Sequence, residues 1–311
     1  DAIFCKLHLQ PPLLTPSFNQ QFDQHGAWRR SFAKRLKWLS GWLDENELLD
    51  QAVAERLKEL EAQMRTSKVM VAFVAEFSRG KSELINAIFF AGYGRRIMPA
   101  SAGRTTMCPT ELGYDAAQPP SLRLLPIETR LEPHSLMHWR DEPTRWTNVP
   151  VDVDNAESLS AAMSKVAEVR WVPLAEARAL GFWSDDAPDD NPLPDDQGRV
   201  EIPRWRHAVL NMPHPLLEQG LIILDTPGLN AIGAEPELTV SLIPQAHAVV
   251  FILGADTGVT RSDLSIWREH LITEGPAGET RIVVLNKIDT MWDTLSTPAQ
   301  IDAQIERQRR G

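Results

Sequence analysis

At 311 residues, with 43% hydrophobic and 24% charged side chains, the chain has the make-up of one large or two ordinary globular domains with a sizeable core. Its formal charge of -10 repels a polyanion, and residues 131–200, with 14 acidic against 6 basic side chains, concentrate that charge; extended nucleic-acid contact is not expected. The longest apolar runs, 69–74 and 248–253, fall far short of the roughly 20 residues that span a bilayer, and Cys5 and Cys108 make no disulfide framework, so a cytoplasmic setting is expected.

Residues 1–26, with Pro11, Pro12 and Pro16, read as an extended lead-in. From 27 to 67 apolar residues recur at helical spacing, with Leu36, Leu39 and Leu43 on one stripe and Leu49, Val53, Leu57, Leu60 and Met64 on the next. Two amphipathic helices broken near 41–46 are predicted, and 1–66 is taken as a lead-in with part of a helical neck or bundle. From Val69 onward short β-rich runs at 69–74, 111–114, 221–224, 248–253 and 281–285 alternate with helical segments. That alternation predicts an α/β domain over 67–311, a mostly parallel sheet with helices on both faces. At about 128–205 the pattern lapses into a Trp- and Pro-rich insertion, with one helix at 157–180 and an acidic loop at 185–196. Trp139, Trp146, Trp171, Trp183 and Trp205 are expected to form its small core. The chain opens on Asp1 and stops within a helical pattern, 298–310, and is read as a segment of something longer.

The octet Ala75-Glu76-Phe77-Ser78-Arg79-Gly80-Lys81-Ser82 follows the strand 69–74 and opens a helical run. It fits the phosphate-loop pattern GxxxxGK[ST] except at its first glycine, where Ala75 stands. In such a loop the backbone amides and the helix N-terminus face phosphates, Lys81 reaches the β and γ oxygens, and the Ser82 hydroxyl ligates Mg²⁺. A second motif, Asp225-Thr226-Pro227-Gly228, ends the strand 221–224. Its carboxylate can hold water of a Mg²⁺ shell, and the Gly228 amide can meet a γ-phosphate. A third, Asn286-Lys287-Ile288-Asp289, follows the strand 281–285. Asp289 can accept two hydrogen bonds from guanine that adenine cannot offer, with Asn286 and Lys287 bracing the loop and covering the base. Three motifs in this order, each at a strand end, point to GTP or GDP with Mg²⁺.

The stretches Glu76 to Asn86, Arg104-Thr105-Thr106-Met107-Cys108-Pro109-Thr110-Glu111 and Asp225-Thr226-Pro227-Gly228-Leu229-Asn230 resemble the bacterial dynamin-like GTPases. The resemblance covers about 68–115 and 206–295 and leaves the insertion outside. It implies that Glu76, Phe77, Ser78, Arg79, Gly80, Lys81, Ser82 and Glu83 line the nucleotide. It further implies that Ser78 helps organise a monovalent cation, and that Thr106, with Thr105 as second choice, completes the metal shell beside Ser82 and Asp225. The catalytic set is then Ser78, Lys81 and Thr106. Leu229 stands where small GTPases carry a water-orienting glutamine, so catalysis falls to the phosphate loop and the first switch, ordered when two GTPase domains meet face to face. Arg79 can be read as a built-in arginine finger, but the family gives that task to other residues, and a solvated Arg79 is expected. The parent protein is expected to reshape or tether membranes, with lipid contact beyond this segment and a place in the cytoplasm or peripherally at the inner membrane face.

Two departures from the family stand out: the Cβ of Ala75, which can restrict the turn, and the end of the chain 22 residues past Asp289, before the family's last base-contacting motif. Two rival readings stay open. A ribosome-assembly GTPase shares the motifs but conflicts with the acidic surface, and a nucleotide-holding scaffold with little turnover is motivated by Ala75. His134 and His138 have metal-ligand spacing but no matching third ligand, and Cys108 reads as a packed thiol.

Overall fold

The computed structural model describes residues 18–46, 48–49, 53–54, 57, 68–76, 78–99, 108–185, 191–227, 242–243, 246–271, 280–292 and 297–310. Two compact units divide it, 1–68 and 69–311.

In the first unit a single helix, α1, runs Phe18–Glu45. It starts inside the stretch expected to be extended and passes through Gly41, so both expectations are corrected. After Pro16 no residue breaks the helix, and its two glycines, Gly26 and Gly41, cost only about 1 kcal/mol each in a helix of this length. The end comes at Asn46, whose side-chain amide and backbone N–H both donate to the Trp42 carbonyl, at 2.7 and 3.2 Å. The second expected helix, 49–64, lies largely outside the described residues.

The second unit is built on an eight-stranded sheet ordered β10-β9-β1-β8-β2-β7-β3-β4. Its strands are β1 (Val69–Ala75), β2 (Thr110–Gly113), β3 (Ser121–Pro126), β4 (Thr147–Pro150), β7 (Trp205–Asn211), β8 (Leu221–Asp225), β9 (Ala248–Gly254) and β10 (Thr280–Asn286). From β10 to β8 every pairing is parallel. β2 runs antiparallel to β8, with Thr110 opposite Asp225, and the rest of the sheet is mixed. Strands such as Met70-Val-Ala-Phe-Val are apolar on both faces because both are covered. The principal helices are α2 (Lys81–Phe89), α3 (Leu136–Arg140), α4 (Ala156–Ser164), α5 (Leu174–Ala179), α6 (Pro215–Glu218), α7 (Arg261–Ile266) and α8 (Pro298–Arg310).

The stretch expected to be an insertion is divided by the fold. β4 extends the main sheet, and Trp139 and Trp146 join Val74, Leu224, Phe251 and Ile266 in the main core. Only its middle forms a separate layer, a hairpin of β5 (Val169–Pro173) and β6 (Arg199–Pro203) over Ile127, Val172, Ala177, Leu180, Phe182, Val200 and Ile202. The helix expected over 157–180 is therefore interrupted. Val169-Arg-Trp-Val-Pro alternates β-formers and ends in proline, which favours a strand between α4 and α5. Of the tryptophans assigned to one small core, Trp183 packs on this layer while Trp171 stays exposed.

A buried charge cluster binds the added strands to the sheet. Glu111 on β2 is 3% exposed, and its carboxylate meets His207 Nε2 of β7 at 2.9 Å and accepts a hydrogen bond from Arg140 of α3. The Trp146 ring stands edge-on to His207, and the Arg123 guanidinium of β3 lies 5.5 Å from the centre of that indole. Burial pushes the Glu111 carboxyl up, but the His207 hydrogen bond and the charges of His207 and Arg140 outweigh it and hold the group below its ordinary value.

A carboxyl held low stabilises the fold above its unfolded pKa, and that contribution disappears as pH falls through the lowered value. Glu111→Gln is therefore expected to cost on the order of 3 kcal/mol at neutral pH, read by denaturant unfolding. The gap to the unaltered chain closes only below about pH 4.5, the ordinary value for this group.

Candidate nucleotide site

Parallel register places the three motifs on one sheet edge. Phe73 of β1 lies opposite Asp225 of β8, Ala75 opposite Ile252 of β9, and Asn286 of β10 opposite Gly254. The chain leaves β1 at Ala75, turns through Ser78 and Gly80, and enters α2 at Lys81. Carboxyl edges of this kind are where open α/β sheets hold ligands.

The turn's left-handed conformations fall on Ser78 (φ 60°) and Gly80 (φ 83°). Ala75 is an ordinary, fully buried strand residue. Its Cβ therefore packs in the core, and the turn does not need glycine there. Gly80 does need to be glycine: a Cβ would press on the Asn286 amide, and the positive φ disfavours any side chain.

Lys81 is buried, and its ammonium donates to the Asp225 carboxylate and the Thr226 carbonyl. Asp225 has no exposed surface, and its second oxygen, Oδ2, has no hydrogen-bond partner among the described residues. Burial pushes the Asp225 carboxyl above its usual range against the pull of Lys81. The Thr226 hydroxyl donates to the Phe73 carbonyl at 2.8 Å and so ties the end of β8 to β1. Ser82 is half-buried in the first turn of α2, while Glu83 is exposed and paired with Arg96 at 2.7 Å.

Asn286 donates from Nδ2 to the Arg79 carbonyl at 2.9 Å, joining the third motif to the phosphate loop. Lys287, itself left-handed at φ 59°, pairs with Asp256 at 2.8 Å, and that hydrogen bond holds the Asp256 carboxyl low. Asp289 lies exposed in a short turn after β10. Phe77, Thr105, Thr106, Gly228 and Leu229 lie outside the described residues.

Arg79 corrects its expectation. It is 4% exposed and bonded to Glu76, Thr257, Thr260 and Asp263. The reason is tertiary: the β9–α7 connection and the first turn of α7 pack against the phosphate loop and supply the Thr257 and Thr260 hydroxyls and the Asp263 carboxylate in place of solvent. Reading the sequence also missed Thr260 and Asp263, although Thr-Arg-Ser-Asp before an apolar residue is a capping-box pattern, and the structure forms that box. Asn86 was missed as well. Its side chain accepts from the Ile97 and Met98 amides at 3.0 and 2.8 Å and donates to the Met98 carbonyl, clasping the segment that leads toward Thr106. Among the described residues no group of three or more His, Cys, Asp and Glu could hold a metal, and no helix is long and apolar enough to cross a membrane. His134 and His138 stack on each other with ring centres 4.1 Å apart.

Residues 71–288 match the profile of the Dynamin family. A bacterial dynamin-like protein of Nostoc punctiforme is 27% identical over 101 residues, 32% of this chain and 14% of that protein. One solved structure, an oligomerised bacterial dynamin pair that provides a mechanism for the long range sensing and tethering of membranes, aligns with 97% of this chain and 44% of its own, at 13% identity and a TM-score of 0.50. A second structure of such a pair aligns with 96% and 43%, at 13% identity and a TM-score of 0.48. At this identity the likeness is one of fold, and the chain spans less than half the length of these relatives. With a family match over most of its length, the chain belongs to the dynamin family.

Proposed function

We propose that this chain binds GTP and hydrolyses it to GDP and phosphate, as the GTPase part of a dynamin-like protein. The observation that carries this reading is the buried pair of Lys81 and Asp225 at the sheet edge, with one Asp225 oxygen unpartnered among the described residues. A carboxylate with no exposed surface and an orphaned oxygen fits a place in the outer shell of a bound cation, with the Ser82 hydroxyl at the start of α2 as a direct ligand and Thr106 as a second. Bound there, Mg²⁺ would supply charge neutralisation to the phosphates.

The protein's own groups would act as follows. Lys81 would leave Asp225 for the β and γ oxygens, and the amides from Glu76 to Glu83, at the mouth of α2, would donate to the remaining phosphate oxygens. The Gly228 amide meets the γ-phosphate, and Thr106 orients the attacking water. Ser78, exposed on the loop, is assigned to a monovalent cation beside the leaving-group oxygen. Asp289 reads guanine while Asn286 and Lys287 hold the base loop against the phosphate loop. Two such domains facing each other would order Ser78 and Thr106, and the full-length protein would couple turnover to membrane remodelling or tethering. In this reading the protein is cytoplasmic or peripheral at the inner membrane face, lipid is met by regions beyond this chain, and nucleic acid is not a partner.

GTP turnover per molecule, measured against protein concentration in the full-length protein, tests this. Specific activity is expected to rise with concentration and Lys81→Ala to lose roughly a hundredfold or more. Activity that stays flat would set aside the facing-domain mechanism, and activity no higher than in Lys81→Ala would overturn hydrolysis itself. Asp289→Ala is expected to erase most of the preference for GTP over ATP in competition binding, a loss of about a hundredfold in selectivity; preserved selectivity would remove Asp289 from base recognition.

A further inference from the structure

Arg79 lies between the two left-handed residues of the phosphate loop, and it is fixed at both its backbone and its side chain. The carbonyl accepts from Asn286. The guanidinium Nη2 donates to the Glu76 carboxylate at 2.5 Å, the Asp263 carboxylate at 2.8 Å and the Thr260 hydroxyl at 3.2 Å, and Nη1 donates to the Thr257 hydroxyl. Asp263, whose side chain is fully buried, receives the Thr260 amide at 2.9 Å and the Thr260 hydroxyl at 2.8 Å through the same oxygen. The carboxylate that caps α7 is thus the one that anchors the phosphate loop. The approach is close enough that a Cβ on Gly254 would come within 3.4 Å of the Arg79 Cδ.

A buried guanidinium shared by two carboxylates is poorly placed to act on a phosphate, because reaching one means leaving Asp263 charged and uncompensated. Its geometry suits a brace. Ser78 at φ 60° is a conformation that costs free energy unless its surroundings hold it. The loop presents its amides to an anion only while that turn persists. We propose that Arg79 is a positioning residue that locks the phosphate loop to the start of α7, and that Asp263, through Arg79, determines how long the nucleotide is retained. The inference rests on the guanine-nucleotide reading above.

The test is a double-mutant cycle on the full-length protein, using Asp263→Asn and Arg79→Lys. Asp263→Asn is nearly isosteric and keeps an acceptor for the Thr260 cap. Arg79→Lys keeps the charge but replaces the fork with a single point donor. The readout is the dissociation rate of a fluorescent GDP analogue chased with excess GDP, beside kcat at saturating GTP and the melting temperature without nucleotide. Each single variant is expected to release the analogue about tenfold faster, the loss of one charge-assisted hydrogen bond. The double variant is expected to be no faster than the faster single one, because both act on one contact. For Asp263→Asn, kcat at saturation is expected to stay within about threefold, since a brace shapes binding rather than the transferred phosphoryl group. Unchanged release with only a lower melting temperature, or effects that multiply in the double variant, would overturn the brace. A large loss of kcat with normal release in Arg79→Lys would overturn it in favour of a direct catalytic arginine. If Asp263→Asn does not fold, the release rate and kcat of Arg79→Lys alone decide between the same outcomes. Failure of the unaltered protein to retain the analogue is a different result: it removes the guanine-nucleotide reading, and this inference with it.

Discussion

A carboxylate without exposed surface stands at the end of β8, and much of the architecture around it follows from the need to keep that charge. Asp225 is tolerable there because Lys81 reaches it, and Lys81 reaches it because the turn at Ser78 and Gly80 starts α2 directly above the end of β1. The parallel pairing of β1 with β8 brings those two strand ends level, and the Thr226 hydroxyl pins them together. Among the described residues one oxygen of Asp225 is left without a partner on a group that otherwise has every reason to be satisfied. A site of this kind is stable only with a countercharge present, which suits a loop whose lysine exchanges one anionic partner for another.

The same sheet carries a second buried charge cluster, and β2 meets both through adjacent residues. Thr110 lies opposite Asp225, while Glu111, on the other face, is held by Arg140 and His207. The strands added beyond β2 are therefore joined to the sheet by ionic contact as well as by the apolar packing of Trp139 and Trp146. The hairpin layer of β5 and β6 packs on Ile127, beyond the end of β3.

Two contacts fix the phosphate loop, and a third fixes the segment that follows α2. Asn286 holds the Arg79 carbonyl, the Thr260–Asp263 cap holds its guanidinium, and Asn86 clasps residues 97–98 further along the chain. Lys287 and Asp256 close the outer side, joining the third motif to the β9–α7 connection. The loop that must receive phosphate is thus over-determined by neighbours, as a turn with a left-handed serine requires.

The local signals were legible in the sequence because they are local. The β-run before Ala75, the glycine and lysine at 80 and 81, the strand ending in Asp225 and the strand leading to Asn286 each declare themselves within about ten residues, and their order alone implied an α/β sheet with a ligand edge. Periodicity was less informative where two structures share it: 157–180 reads as one helix until the Val-Arg-Trp-Val-Pro stretch is allowed to pair with β6. What only the tertiary structure decided is partnership. Whether Arg79 meets solvent or Asp263 depends on residues some 180 positions away, and whether Trp139 belongs to a small core or the main one depends on which sheet face receives α3. Spacing along the chain carries hydrogen-bonding pattern and polarity within an element, but burial and charge pairing are set by which elements meet, and that is a property of the folded chain alone.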